Sequence, residues 1–166
     1  MDADHKKTAL RMIPYGLYVL AAETSSGVTA STVNWVTQTS FAPPLIAVGI
    51  KADSGGYAIV KESGHFALSI LGKGHQDAAF SFFKPAERDG DNIGGQPFRT
   101  GSTGSPILVA APAHVECRIV EIVEAGDHHI FVAEVIDAGV SGEIEGRPDD
   151  ATLHMRDLGE KTFYGG

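Results

Sequence analysis

Residues Gly27 to Pro44 read GVTASTVNWVTQTSFAPP, and this stretch decides how the chain is built. It carries six Ser/Thr hydroxyls, Asn34, Gln38 and the only tryptophan, Trp35, then stops at Pro43-Pro44. β-branched residues fill it, so extended backbone is favoured over helix. A strand with one wet face alternates apolar with charged residues, yet no charge occurs here. Uncharged donors and acceptors beside one indole suit a flat, hydrogen-bonding, partly apolar ligand such as an aromatic heterocycle. On composition alone, the same residues also describe an edge strand followed by a Ser/Thr-rich loop.

The flanking sequence continues in strands. Upstream, YGLYVLAAE (Tyr15 to Glu23) predicts a strand, TSSG (Thr24 to Gly27) a hairpin turn, and Val28 to Val36 the return strand. Downstream, LIAVGI (Leu45 to Ile50) is a continuous apolar run that reads as a central buried strand. KADSGG (Lys51 to Gly56) is a turn whose Asp53 or Ser54 would cap a helix over Tyr57 to Glu62. Further strands are expected at His65 to Leu71, Ala113 to Val123 and His128 to Gly139. Helices are expected at Asp4 to Met12, before Pro14, and at Gln76 to Phe83. Residues 84 to 105 are glycine-rich and read as one long irregular segment, which in a compact domain is often functional. Strands at hairpin spacing with few helices indicate a mainly β architecture, an antiparallel barrel or sandwich with peripheral helices.

Composition sets the outer limits. A chain of 166 residues with 43% hydrophobic and 20% charged residues is of ordinary globular make-up and long enough for one domain with a real core. A net charge of −8 opposes wrapping of nucleic acid or an anionic membrane, but not the binding of a single phosphate. One cysteine, Cys117, excludes an intramolecular disulfide and a thiolate cluster, and its apolar run marks it as a core thiol. No signal peptide or membrane span is evident, so a cytoplasmic protein is expected.

Several familiar chemistries find no support. There is no Walker loop, no dinucleotide glycine fingerprint and no Gly-x-Ser-x-Gly elbow, and the seven histidines form no metal-binding pair, so no metal is expected. Lys51 followed by Ser54-Gly55-Gly56 has the ingredients of a phosphate cradle, and equally those of a solvated lysine and a helix cap. In GDHH (Gly126 to His129) adjacent strand residues face opposite sides, so one histidine alone points inward. It could orient a substrate, or simply be a turn residue beside a surface histidine.

SFAPP (Ser40 to Pro44), LIAVGI, SGHFALSIL (Ser63 to Leu71), GSPIL (Gly104 to Leu108), HVECRIVE (His114 to Glu121) and GDHHIFVAEV (Gly126 to Val135) occur in an order found in one family. Across nearly its whole length, residues 1–166, the chain resembles the flavin reductase-like, FMN-binding split-barrel proteins. The tail LHMRDLGEKTFYGG (Leu153 to Gly166) also resembles the reductase modules of flavodiiron proteins.

The resemblance implies a six-stranded Greek-key split barrel that dimerises and holds FMN near the dimer interface. Thr32, Val33, Asn34 and Trp35 would border the isoalloxazine, and Gln38, Thr39 and Ser40 would line the same groove. Lys51, Ser54, Gly55 and Gly56 would take the phosphate. His128 would stand where a nicotinamide arrives, and Tyr164 would cover the site. Relatives often carry Asn where Ser69 stands here. The implied activity is hydride transfer from NADH or NADPH to FMN, with a monooxygenase or other acceptor protein as a possible partner. An FMN-binding electron carrier or sensor without NAD(P)H activity is the alternative, and a flavin-free dimeric module a third. Arg88, Arg99 and Arg118 are available to read a 2′-phosphate.

Overall fold

The structure, a computed structural model, describes all 166 residues. Its main sheet has seven antiparallel strands in the order β2-β1-β5-β10-β11-β4-β3. These are β1 (Tyr18–Thr24), β2 (Gly27–Val33), β3 (Val36–Phe41), β4 (Pro44–Lys51), β5 (His65–Ile70), β10 (Ala113–Val123) and β11 (His128–Val140). The hairpin at Thr24–Gly27 and the long β10–β11 pair fall where the sequence indicates.

The segment read as one return strand over Val28 to Val36 is two strands. Backbone pairing stops at Asn34-Trp35, where Val36 N donates to Asn34 O and Gly49 N to Trp35 O (3.1 and 2.9 Å). The chain therefore turns a corner, leaves the β1 edge and pairs with β4 instead. That corner supplies the seventh strand where six were expected, and it brings the two edges of the sheet together as a split barrel.

LIAVGI is next to one end of the sheet rather than at its centre. It is buried on alternate residues only, because β3 and β11 cover its edges while one face stays partly open. The strands buried on both faces are β1 and β5: Leu20, Ala22, Phe66 and Leu68 enter the barrel core with Val48 and Phe131. Val19 and Ala21 face a second core with Leu17, Leu71, Phe82 and Leu153. Cys117 lies in the barrel core, where burial pushes its thiol up to about 12.

Residues 84 to 105 are not irregular. With the segment that follows they form a small antiparallel meander of β6 (Arg88–Asp89), β7 (Asn92–Ile93), β8 (Gln96–Thr100) and β9 (Pro106–Leu108). Strands of two or three residues carry no readable alternation, so the glycine turns dominate the sequence signal. Ile93, Phe98 and Leu108 anchor the meander in the second core. Its Gly101–Ser105 loop is tied to β10 by Glu116, a carboxylate only 1% exposed. Oε1 accepts from Ser102 N and Oγ (2.9 and 3.0 Å), and Oε2 from Thr103 N and Oγ1 (2.8 and 2.6 Å).

The helices are peripheral: α1 (Ala3–Arg11), capped by Asp2, α2 (Tyr57–Ser63) and α3 (Gln76–Ser81). Neither Asp53 nor Ser54 caps α2. Gly56 occupies that position without a side-chain bond, leaving the preceding turn free for other contacts. None of the helices is long and apolar enough to cross a membrane.

Candidate active site

A groove of about 710 Å³ opens along the inner edge of β2. Its walls come from β2, the end of β4, the Asp53–Gly56 turn, the segment after α3, His128 and the tail at Thr162–Tyr164. Its size falls within the roughly 300–1,000 Å³ range of small-molecule sites. The β2 wall presents uncharged Thr29, Ser31 and Thr32 with Val28, Ala30 and Val33. The Thr32 hydroxyl donates to Ala79 O at 2.7 Å, tying this wall to α3.

One end of the groove is an aromatic corner built where β2 breaks. His128 opens β11, and its ring lies 4.5 Å from the Trp35 ring, tilted by 56°. Tyr164 sits 5.5 Å from Trp35 and places its hydroxyl 2.8 Å from His128 Nε2. His128 Nδ1 is 2.9 Å from Asp127 Oδ1. The hydrogen bond from His128 holds the Asp127 carboxyl below its ordinary range, so it stays ionised. Those partners assign the proton to Nδ1 and leave Nε2 to accept from Tyr164. Burial raises the Tyr164 phenol, which keeps it a donor.

The tail is held independently: Asn34 Nδ2 donates to Tyr164 O (3.2 Å), Arg11 Nε donates to Gly165 O (3.3 Å), and the Arg11 guanidinium lies 4.3 Å from the Phe163 ring centre. Trp35 Nε1 is buried beneath this cover without an acceptor. His129, the other histidine of the pair, faces away and lies 2.7 Å from the Tyr57 hydroxyl.

Residues 10–158 match the family model described as the flavin reductase like domain. The chain belongs to the flavin reductase-like family. It is 31% identical over 160 residues to diflavin flavoprotein A 1 of Synechocystis, covering 96% of this chain and 27% of that protein. It thus spans about a quarter of the length of that relative. It is 32% identical over 141 residues to the ferric-chelate reductase (NAD(P)H) of Archaeoglobus fulgidus, covering 82% of each. Among solved structures, an NADH:FAD oxidoreductase of Streptomyces globisporus, in complex with NAD and FAD fragments, superposes with a TM-score of 0.70. That similarity has 31% identity and covers 78% of this chain and 76% of that one.

The donor set of this flavin reductase-like groove fits a flavin mononucleotide. Gly55 and Gly56 make no hydrogen bond through their amides, and the Ser54 hydroxyl is also free. A Cβ at Gly55 would meet nothing within 4 Å, so the turn is open to a ligand. Lys51 is less free than the sequence suggests. It pairs with Asp53 at 3.0 Å, an interaction that raises the lysine and lowers the carboxyl.

The sequence reading missed Lys84, which lies in the groove wall without an ion pair. Its signal was hidden in the segment read as irregular. Replacing Lys84 with alanine should weaken FMN binding about three- to tenfold and leave riboflavin binding unchanged, as measured by flavin fluorescence titration. Equal losses for both flavins would remove Lys84 from phosphate recognition.

Thr32, Val33, Asn34, Lys51, Ser54, Gly55, Gly56, His128 and Tyr164 all border the groove, and Trp35 backs its aromatic corner. Gln38, Thr39 and Ser40 do not. They lie on β3, beyond the corner, where a register shift leaves Thr39 unpaired. Ser69 is buried and turned away, its hydroxyl accepting from Leu108 N at 3.1 Å, so the Asn-to-Ser difference touches the meander rather than the groove. Of the three arginines offered for a 2′-phosphate, Arg88 pairs with Glu23 (2.7 Å) and Arg118 with Glu134, while Arg99 Nη2 is 3.4 Å from His114 Nε2. None borders the groove.

Proposed function

We propose that this chain is an NAD(P)H-dependent flavin reductase that binds FMN along β2 and receives the nicotinamide at the His128 corner. The observation that carries the reading is the fixed His128, oriented by Asp127 and presenting Nε2 to a hydroxyl that a ligand can replace. When bound, the isoalloxazine supplies the two-electron chemistry and accepts a hydride from the nicotinamide. The protein then has to orient and desolvate, and no side chain is assigned as a general base. A carboxamide N–H can donate to His128 Nε2 in place of the Tyr164 hydroxyl, so the nicotinamide enters as the tail yields. The Ser54–Gly56 turn with Lys51 and Lys84 is suited to the phosphate. The uncharged β2 wall faces the ring.

The groove draws on residues from Leu17 to Tyr164, and Arg11 of α1 holds the tail that covers it, which supports reading residues 1–166 as one FMN-binding domain. Gln38, Thr39 and Ser40 approach a flavin only in a homodimer. The nearly bare Phe41 (91% exposed) on the same strand, with exposed Ile130, Ile136 and Val140 on β11, supplies apolar surface for that pairing. A monooxygenase or another acceptor protein would take the electrons onward.

The test is anaerobic mixing of the FMN-loaded protein with NADH or NADPH while the oxidised flavin absorbance is followed. Fast bleaching by one nucleotide is expected, and His128→Ala should raise KM for that nucleotide about three- to tenfold with a smaller change in kcat. No bleaching, with dithionite still reducing the bound flavin, would instead identify an electron carrier.

A further inference from the structure

A second cavity, of about 380 Å³, lies on the far side of the tail and shares Thr162–Tyr164 with the groove as a common wall. It is walled by Arg11, Arg156, His154 and Glu160 together with Tyr15 and Phe163. Neither arginine is neutralised closely. Arg11 directs Nε to Gly165 O and lays one face of its guanidinium over the Phe163 ring but makes no salt bridge, while the Arg156 side chain is 82% exposed and comes no nearer than 4.0 Å to Asp157. In a chain of net charge −8, two cations lining one cavity beside aromatic rings are an unusual local concentration.

We infer that this cavity binds the adenylate half of a dinucleotide whose other half occupies the neighbouring groove. Guanidinium groups recognise phosphate through paired N–H donors, and aromatic and guanidinium planes stack on a purine. Glu160 is an acceptor for ribose hydroxyls or the adenine amino group. The volume suits a single nucleotide moiety, at the lower end of small-molecule sites. Sharing a wall with the groove lets a ligand cross the rim at Phe163-Tyr164. Adenylate occurs in both NAD(P)H and FAD. The inference rests on the reductase reading only for which of these arrives.

The experiment is calorimetric titration of 5′-AMP into the full chain and into Arg156→Glu, with Arg11→Gln as a second variant. Binding that weakens about tenfold or more in both variants is expected. No binding, or binding indifferent to both substitutions, overturns the proposal whether or not the protein is a reductase.

Kinetics name the source. A rise in the KM ratio of NADH or NADPH to reduced nicotinamide mononucleotide supports the nicotinamide dinucleotide. A fall in FAD affinity relative to FMN supports FAD. If arginine-dependent 5′-AMP binding is present but no nicotinamide donor is oxidised, the cavity stands and the reductase reading fails.

Discussion

Glu116→Ala is expected to lower the unfolding free energy by about 3–4 kcal/mol, a large part of the roughly 5–15 kcal/mol that holds a domain together. The alanine would leave two backbone N–H groups and the Thr103 hydroxyl facing a void, while the Ser102 hydroxyl keeps Asp137 Oδ2 at 2.9 Å. Glu116→Gln separates charge from shape. Its amide nitrogen would face one N–H that cannot reverse its polarity, so this variant should also lose stability, by about 2 kcal/mol.

The pH dependence follows from the same contacts. Burial pushes the Glu116 carboxyl up, but the hydrogen bonds from Thr103 and Ser102 outweigh it and hold the group below its ordinary 4.5. The folded state therefore binds this proton less tightly than the unfolded one. Its stabilisation is complete above the unfolded value and is lost as pH falls through the lower folded value. Urea denaturation at pH 7 and pH 4 checks this: wild type should lose more on acidification than Glu116→Gln. Equal losses would show that other carboxylates govern acid sensitivity.

Gly56→Ala is expected to weaken FMN binding about ten- to a hundredfold, with a loss of about 1–3 kcal/mol in stability. A methyl there would overlap the Thr29 hydroxyl and lie 3.4 Å from Thr29 Cγ2, so rotating the branched side chain only exchanges one substituent for the other. The turn would have to move off β2, taking the free amides with it. Thr29→Ala removes the hydroxyl and Cγ2 and leaves only Cβ, at 3.3 Å, a contact that a shift of a few tenths of an ångström relieves, so the double variant should recover most of the binding, as read by flavin titration. A double variant as weak as Gly56→Ala would show that the methyl blocks the ligand itself.

Most strands were legible because β1, β2, β5, β10 and β11 are long enough to display their composition and end at glycine or polar turns. The corner at Asn34-Trp35 was not. No glycine or proline marks it, and what breaks the strand is the choice between two partners, β1 and β4, a tertiary matter. The corner also carries Gln38, Thr39 and Ser40, which the family resemblance places in the groove, onto β3 beside β4 and away from the groove of their own subunit. The cap expected of Asp53 or Ser54 failed for a related reason, since Asp53 is committed to Lys51. Lys84 and Arg156 were invisible because a surface cation gains meaning only from the walls that fold around it.

The only tryptophan stands at the junction of the two sheet edges, beneath His128 and Tyr164. The protein consequently carries a built-in optical gauge at the mouth of its groove. Excitation of the indole interrogates that location alone, so quenching on addition of flavin, nicotinamide or adenylate would report arrival at one known place. The order in which those molecules enter could be timed without attaching any label.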